Sequence, residues 1–341
     1  MSLPIILEKY RSEVNAELKA IINERESPLY DMMRYHLGWI DEKGNPAAND
    51  SGKALRSALC LFSCEATGGN FRKALPAAAA LELIHNFSLI HDDIQDDDRE
   101  RRHRPTVWAI WGKPQAINAG TAMRILANAA LVRLQGNGLS SDKQLHLSQR
   151  LDQVSLDLIE GQYLDIGFED HFNIKVSDYL TMVGGKTASL IAGSMEIGAY
   201  IGTDDENLVQ SFSEAGKNLG LAFQIRDDIL GIWGKHEETG KPSGNDIRRK
   251  KKSYPVVFAL ENARGSSKKE LLSIYQDGGI NQNSVNKVLA IFEKSGARDN
   301  AQKLVEKYSE LAREVFNRTN PSQPVKRNME EVLEFLTDRN Y

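Results

Sequence analysis

Five aspartates fall within seven residues at Asp92-Asp93-Ile94-Gln95-Asp96-Asp97-Asp98, directly after the apolar run Leu81 to His91. That run has helical spacing, so Asp92 and Asp96 stand one turn apart on one face with Asp93 beside them. Like charges so placed repel by about 0.2–0.5 kcal/mol per exposed pair, and by more when desolvated. Clustered hard oxygen ligands suit Mg²⁺, which takes one or two carboxylates together with waters and substrate phosphates. A second pair, Asp227-Asp228, follows another apolar helical run, Leu219 to Ile225, with Gln224 one turn before the second aspartate. Two acid pairs at core-facing helix positions need a shared explanation, because buried like charges are costly without a counter-ion. Metal held between facing helices of a bundle supplies one.

A basic run follows each acid cluster. After the first come Arg99, Arg101, Arg102, His103 and Arg104; after the second come Lys241 and Arg248-Arg249-Lys250-Lys251-Lys252. Alone, the second run reads as a solvated or nucleic-acid-binding tract. Beside metal-binding carboxylates it reads differently, since Mg²⁺, Arg and Lys all hold phosphate oxygens, and the implied substrate is a diphosphate. Gly52-Lys53-Ala54-Leu55-Arg56 opens a helix, where anions are favoured. Gly184-Gly185-Lys186-Thr187 puts two glycines inside an apolar helical run, which fits a bend or a close backbone approach.

The elements that must position these residues are helices. Apolar residues recur at three- and four-residue spacing, as in Leu55, Leu59 and Phe62, and no sustained alternation marks a strand. The spacing predicts an all-α chain of roughly a dozen helices. Ser27-Pro28, Ser140 and Thr203-Asp204 read as starts, and Gly68-Gly69, Gly136 to Gly138, Gly202, Gly278-Gly279 and Gly296 as stops. Two long polar stretches, Gly38 to Gly52 and Gly234 to Ser253, adjoin the candidate site residues, as functional loops do. No linker or repeat divides the chain, so residues 1–341 read as one domain.

Composition narrows the function. The 43 Lys+Arg and 47 Asp+Glu give a net charge of −4, without the basic excess of a dedicated nucleic-acid binder. Apolar stretches are broken well short of the ~18 residues a spanning helix needs, and the first residues lack the pattern of an export signal. Cys60 and Cys64, the only cysteines, sit four apart in an apolar helix as core residues of a reducing, cytoplasmic setting.

Taken together, Gly52-Lys-x-x-Arg56, Asp92-Asp93-x-x-Asp96 with Arg101-Arg102, Lys186-Thr187 and Gln224-x-x-Asp227-Asp228 resemble the trans-isoprenyl diphosphate synthases, in order from Gly52 to about Phe258. The resemblance implies a single large helical bundle of the isoprenoid synthase type around a central tunnel, and a homodimer. It implies a Mg²⁺-dependent prenyltransferase that joins isopentenyl diphosphate to dimethylallyl, geranyl or farnesyl diphosphate. Three Mg²⁺ would be held by Asp92, Asp96 and Asp227, with Asp93 and Asp228 in support. Arg101, Lys186, Thr187, Gln224 and Lys241 would meet the allylic diphosphate, with Lys251 closing over it; Lys53, Arg56, His85 and Arg102 would hold isopentenyl diphosphate. Phe87 and Ser88, five and four residues before the first motif, resemble the chain-length residues of geranylgeranyl-type synthases. The helical wheel itself puts Ser88 and Leu89 nearer the carboxylate face than Phe87.

Departures from the family pattern are specific. Gly231 replaces the third aspartate of the second motif, Ser57 replaces a frequent proline, and His103 stands where a glycine often follows the arginine pair. A farnesyl or longer product and a partner subunit of a heteromeric synthase are the neighbouring readings; such subunits usually lose the first motif, which is intact here. A terpene cyclase would need an Asn-Asp-x-x-Ser-x-x-x-Glu motif, and Asn245-Asp246 has Arg249 and Ser253 at the required Ser and Glu positions. The tryptophans Trp108, Trp111 and Trp233 read as packing beneath the two motifs.

Overall fold

A helix with no polar face must be enclosed by others, and Leu75–Gln95 is such a helix: Ala77 to Ala80, Leu81, Leu83 and Ile84 are fully buried. Pro76 sits in its first turn, where the missing N–H costs nothing. The structure is a computed structural model in which residues 4–47, 52, 54–234, 244–276 and 279–337 are described. Lys53, Lys241 and Gly278 lie outside the described residues. The chain divides into two units, one running to Ser155 and including Gly193–Phe212, the other comprising Leu156–Ala192 and the chain from Ser213 onward.

In the first unit Leu75–Gln95 packs against Arg11–Ile22, Leu55–Ala66 and Lys113–Val132. Cys60 and Cys64 are buried and unbridged within Leu55–Ala66, as the sequence predicts. A two-stranded antiparallel ribbon, Glu100–Arg101 with Arg104–Pro105, follows the acidic helix end, and these are the only named strands among the described residues. Arg102 and His103 form its two-residue turn with φ of 53° and 59°. Both therefore take a left-handed conformation that glycine would adopt freely, so the turn survives at His103 with backbone strain.

The second unit is built from the C-terminal part of Ser141–Phe168, Val176–Val183, most of Glu206–Trp233, and Tyr254–Asn262 with the helices after it. One core cluster joins Tyr179, Val183, Ile225, Ile229, Tyr254 and Val305; another joins Ile232, Ile247, Val256, Val288 and Phe292. The described helices exceed the expected dozen because short segments such as Val107–Trp111 and Asn245–Arg248 stand apart from the long ones. Helix starts follow cap chemistry: Ser27 accepts from Leu29 N, Ser140 from Lys143 N, and Asp205, one residue beyond the expected start, from Asn207 and Leu208 N.

Candidate active site

The first acidic motif closes Leu75–Gln95. Asp96 is the C-cap, its N–H bonding Asp92 O at 2.9 Å, and Asp98 N bonds Asp93 O at 2.9 Å across Asp97, whose φ is 53°. This is a Schellman ending with aspartate in the place glycine usually takes. Five aspartates at a helix C-terminus meet the negative end of the helix dipole as well as one another, so the site demands cations. Arg101 supplies one: its Nε donates to Asp93 Oδ1 at 2.7 Å and its Nη2 to Asp92 Oδ2 at 3.4 Å. Lys113 pairs with Asp97, and Trp108 Nε1 donates to Asp98 O at 2.8 Å.

The two members of each acid pair are not equivalent, which corrects the expectation that both pairs face the core. Asp93 is buried, Asp92 is half-buried and Asp96 is exposed. Burial pushes the Asp93 carboxyl up to about 6 although Arg101 opposes the shift. Its Oδ2 is buried without a hydrogen-bond partner among the described residues. In the second unit Asp228 is buried and Asp227 exposed. Adjacent helical residues lie about 100° apart, so one member turns in and the other out.

A pocket beside the first motif is lined by Tyr35, His36, Asp93, Arg101, Arg102 and Arg104, among others. Arg102 is exposed, with its guanidinium against Gly52, whose φ is 92°: a Cβ there would lie 2.6 Å from Nη2. Arg56 is half-buried, its Nε has no hydrogen-bond partner among the described residues, and burial lowers its pKa to about 10 against the pull of Glu82. Burial, then Arg56, Arg102 and Arg101, holds His85 well below the ordinary histidine value, so its imidazole is neutral. Beneath lies a polar network that sequence reasoning missed. Buried Glu82 accepts from Ser57 Oγ at 3.1 Å, Asn86 Nδ2 donates to Glu82 O at 2.8 Å, and Asn86 Oδ1 lies 3.1 Å from His36 Nε2. Ser57, which stands where a proline is frequent, thus anchors the glutamate that faces Arg56.

In the second unit Gly184–Ala188 forms a π-helical turn, a local widening common at functional sites. Two glycines permit it: a Cβ on Gly161 would lie 2.0 Å from Lys186 N, and one on Gly185 2.6 Å from Asp157 O. Lys186 pairs with Asp165. Thr187 Oγ1 donates to Gln224 Oε1 at 2.8 Å, and Gln224 Nε2 to Asp228 Oδ1 at 3.0 Å. Asp228 Oδ2 also accepts from Tyr179 OH at 2.6 Å and Tyr254 N at 2.8 Å, and Lys251 Nζ lies 3.6 Å from Oδ1. The structure therefore brings Lys186, Thr187, Gln224, Asp228 and Lys251 together. Tyr179, Tyr254 and Asp165 join them without any short-range signal in the sequence.

Phe87 is buried with its ring edge-on to His91 at 5.7 Å, and His91 in turn lies over Gly120. Ser88 is partly exposed one turn before Asp92, and its Oγ donates to His85 O at 2.8 Å. Trp111 packs edge-on to Tyr35, and Trp233 to Phe292.

Residues 38–292 match the family model described as Polyprenyl synthetase. The chain belongs to the polyprenyl synthetase family. These are the trans-isoprenyl diphosphate synthases, so the chain is a trans-prenyltransferase. It is 38% identical over 308 residues, 90% of its length and 87% of the relative's, to a geranylgeranyl diphosphate synthase of Mycobacterium tuberculosis. A (2E,6E)-farnesyl diphosphate synthase of the same species is 36% identical over 280 residues, covering 82% of this chain and 77% of that one. The crystal structure of a polyprenyl synthetase from Streptomyces coelicolor A3(2) superposes with a TM-score of 0.91 at 35% identity, covering 98% of this chain and 99% of that one. The all-α fold expected from sequence is thus that of this synthase family.

Among the described residues no three carboxylate, imidazole or thiol side chains converge as a protein-only metal cage. Mg²⁺ does not require one, because it keeps waters and substrate phosphates among its ligands. The outward Asp92 and Asp96, and separately the outward Asp227, fit that use, as does the unpartnered Oδ2 of Asp93 behind Asp92.

Proposed function

We propose that this prenyltransferase condenses isopentenyl diphosphate with allylic diphosphates to an all-trans prenyl diphosphate, with geranylgeranyl diphosphate as product. The observation that carries the reading is the division within each acid pair: one buried member anchored by hydrogen bonds, and one less buried member turned outward. Asp92, Asp96 and Asp227 are the Mg²⁺ ligands in this reading, with three Mg²⁺ per site. Bound Mg²⁺ neutralises the allylic diphosphate and so favours its ionisation.

The protein's own work is positioning and charge stabilisation. Arg101, Lys186, Thr187, Gln224, Lys241 and Lys251 bind the allylic diphosphate. Lys53, Arg56, His85 and Arg102 bind isopentenyl diphosphate, with His85 kept neutral among arginines as a hydrogen-bonding group. As the allylic C–O bond breaks, the alkene of isopentenyl diphosphate attacks the carbocation, and the adduct loses a proton to the released diphosphate. No protein nucleophile takes part.

One synthase domain over residues 1–341 is part of the proposal, supported by a single family match that runs through both units. A homodimer is supported by exposed apolar side chains: Ile117, Ile125 and Val132 on one helix, and Leu156, Ile159, Tyr163 and Ile166 along a face of another. No helix among the described residues is long and apolar enough to cross a membrane, and two unbridged cysteines fit a cytoplasmic protein.

The test is purified protein with isopentenyl diphosphate and each of dimethylallyl, geranyl and farnesyl diphosphate, with and without Mg²⁺. A Mg²⁺-dependent twenty-carbon product is expected. A fifteen-carbon end product, or one longer than twenty carbons, would overturn the chain length alone, and failure to consume any primer would overturn the activity.

A further inference from the structure

Gly231 stands one turn after Asp227 on Glu206–Trp233, where the family pattern has a third aspartate. Its missing side chain leaves a space that another residue occupies. A Cβ on Gly231 would lie 2.2 Å from Asp246 Oδ2, 2.6 Å from Asp246 Cγ and 3.0 Å from Oδ1. Contacts under 3 Å with a carboxylate are not sustainable, so any side chain at 231 would displace Asp246. The carboxylate lies directly on the bare helix backbone at the position of the absent acid.

Backbone bonds deliver it there. Gly244 N bonds Ile232 O at 2.9 Å, tying the returning chain to the helix end, and Asn245–Arg248 then turns Asp246 toward Gly231. Lys251 N bonds Asp246 O at 3.0 Å and closes the segment onto itself. Lys251 Nζ consequently lies 4.0 Å from Asp246 Oδ2 and 3.6 Å from Asp228 Oδ1, between a carboxylate from the loop and one from the helix. Asp228 is already committed to Tyr179, Tyr254 and Gln224. Asp246 is therefore the carboxylate that can be removed without dismantling that anchor.

We propose that Asp246 is the positioning residue for Lys251, and that glycine at 231 is required because it leaves the seat Asp246 occupies. A carboxylate from the segment after the helix thus occupies the space beside Gly231. Its partner is the lysine that meets the substrate's diphosphate, so the inference rests on the function proposed above. Burial would lower the Lys251 pKa, but Asp228, Asp246, Asp165 and Asp227 together raise it above the ordinary lysine value, so the ammonium stays charged in this seat.

The test is a set of binding cycles read by calorimetry with inorganic diphosphate and Mg²⁺, a measurement independent of turnover, alongside KM and kcat. Asp246→Asn should weaken diphosphate binding about tenfold and raise KM for the allylic substrate more than it lowers kcat. In a Lys251→Met background, Asp246→Asn should add nothing further. Gly231→Ala should reproduce the Asp246→Asn loss, yet be nearly silent in an Asp246→Ala background. Thermal melts establish that each variant folds; if Gly231→Ala does not, the Asp246 and Lys251 cycle decides alone. Wild-type binding by Asp246→Asn, or losses that multiply with Lys251→Met, would overturn the inference while leaving the enzyme's function intact. Wild-type protein that neither binds diphosphate nor turns over would instead overturn the function itself.

Discussion

The Tyr179 hydroxyl donates to Asp228 Oδ2 at 2.6 Å, and both residues are buried. Asp228 thus holds together Val176–Val183, Glu206–Trp233 and, through Tyr254 N, Tyr254–Asn262. Removing it leaves buried donors unpaired, each costing about 1–3 kcal/mol. Asp228→Ala should therefore lower the stability by about 2–5 kcal/mol in all, and the thermal midpoint clearly with it. Asp227→Ala, at an exposed position one residue away, should melt like wild type yet lose Mg²⁺-dependent turnover. Equal melting of the two variants would refute this separation of anchor from ligand.

Asp92→Ala removes an outward carboxylate while Asp93 keeps its bond to Arg101. Turnover should fall by about 10²–10³, the scale seen when transition-state charge stabilisation is lost. The far-ultraviolet circular dichroism should not change. Near-normal incorporation of isopentenyl diphosphate would exclude Asp92 from the metal site.

The contrast between these residues marks what a sequence conveys. The all-α fold, the caps at Ser27 and Ser140, and the Asp, Arg and Lys-Thr motifs are encoded within a turn or two of helix, where spacing is informative. The inward and outward split of each acid pair follows from the same 100° step, but only once the core side of the helix is known. Tyr179, Glu82 and Asp246 belong to no local pattern. They reach Asp228, Ser57 and Gly231 across 49, 25 and 15 residues, respectively, through tertiary packing. The turn at Arg102-His103 shows the reverse case, a position where local preference favours glycine and the ribbon imposes positive φ regardless.

Acid should destabilise the protein through two partly buried imidazoles, His36 and His85. Burial, then Arg101 and Arg102, holds His36 at about 3 rather than 6.5, and burial, then Arg56, Arg102 and Arg101, lowers His85. Between about pH 6.5 and 3 the unfolded chain binds more protons at these sites than the folded one, so their contribution to stability rises with pH and is lost on acidification, whereas Asp93, held up at about 6, contributes in the opposite sense. His36→Gln retains a polar partner for Asn86 Oδ1 and removes one titrating site. The slope of the thermal midpoint against pH should become shallower in that variant, and an unchanged slope would assign the acid sensitivity elsewhere.

Ile159, Tyr163 and Ile166 form an exposed apolar stripe on Ser141–Phe168, with Tyr163 76% exposed. In the proposed homodimer a second copy of the chain would cover that stripe, which a monomer would leave in water. Ile159→Glu with Tyr163→Glu should shift the light-scattering mass of a dimer toward that of a 38.1 kDa monomer. A wild-type protein already of monomer mass would remove the dimer from the proposal.

Phe87 is 4% exposed, so changing it tests both packing and product length. Phe87→Ala deletes a buried ring, a change that typically costs about 3–5 kcal/mol, and its product pattern must be read only from protein shown to be folded. Phe87→Leu keeps most of the packing and shortens the reach of the side chain. If Phe87 is the floor that stops elongation, both variants should give products at least one five-carbon unit longer than wild type, with alanine extending further than leucine. Ser88→Phe would make the complementary change: Ser88 lies one turn before Asp92, so a ring there should shorten the product if the growing chain runs along that face. Longer products from Phe87→Ala together with shorter ones from Ser88→Phe would put the chain-length stop on this one turn of Leu75–Gln95. Unchanged products from both would place the stop on another helix.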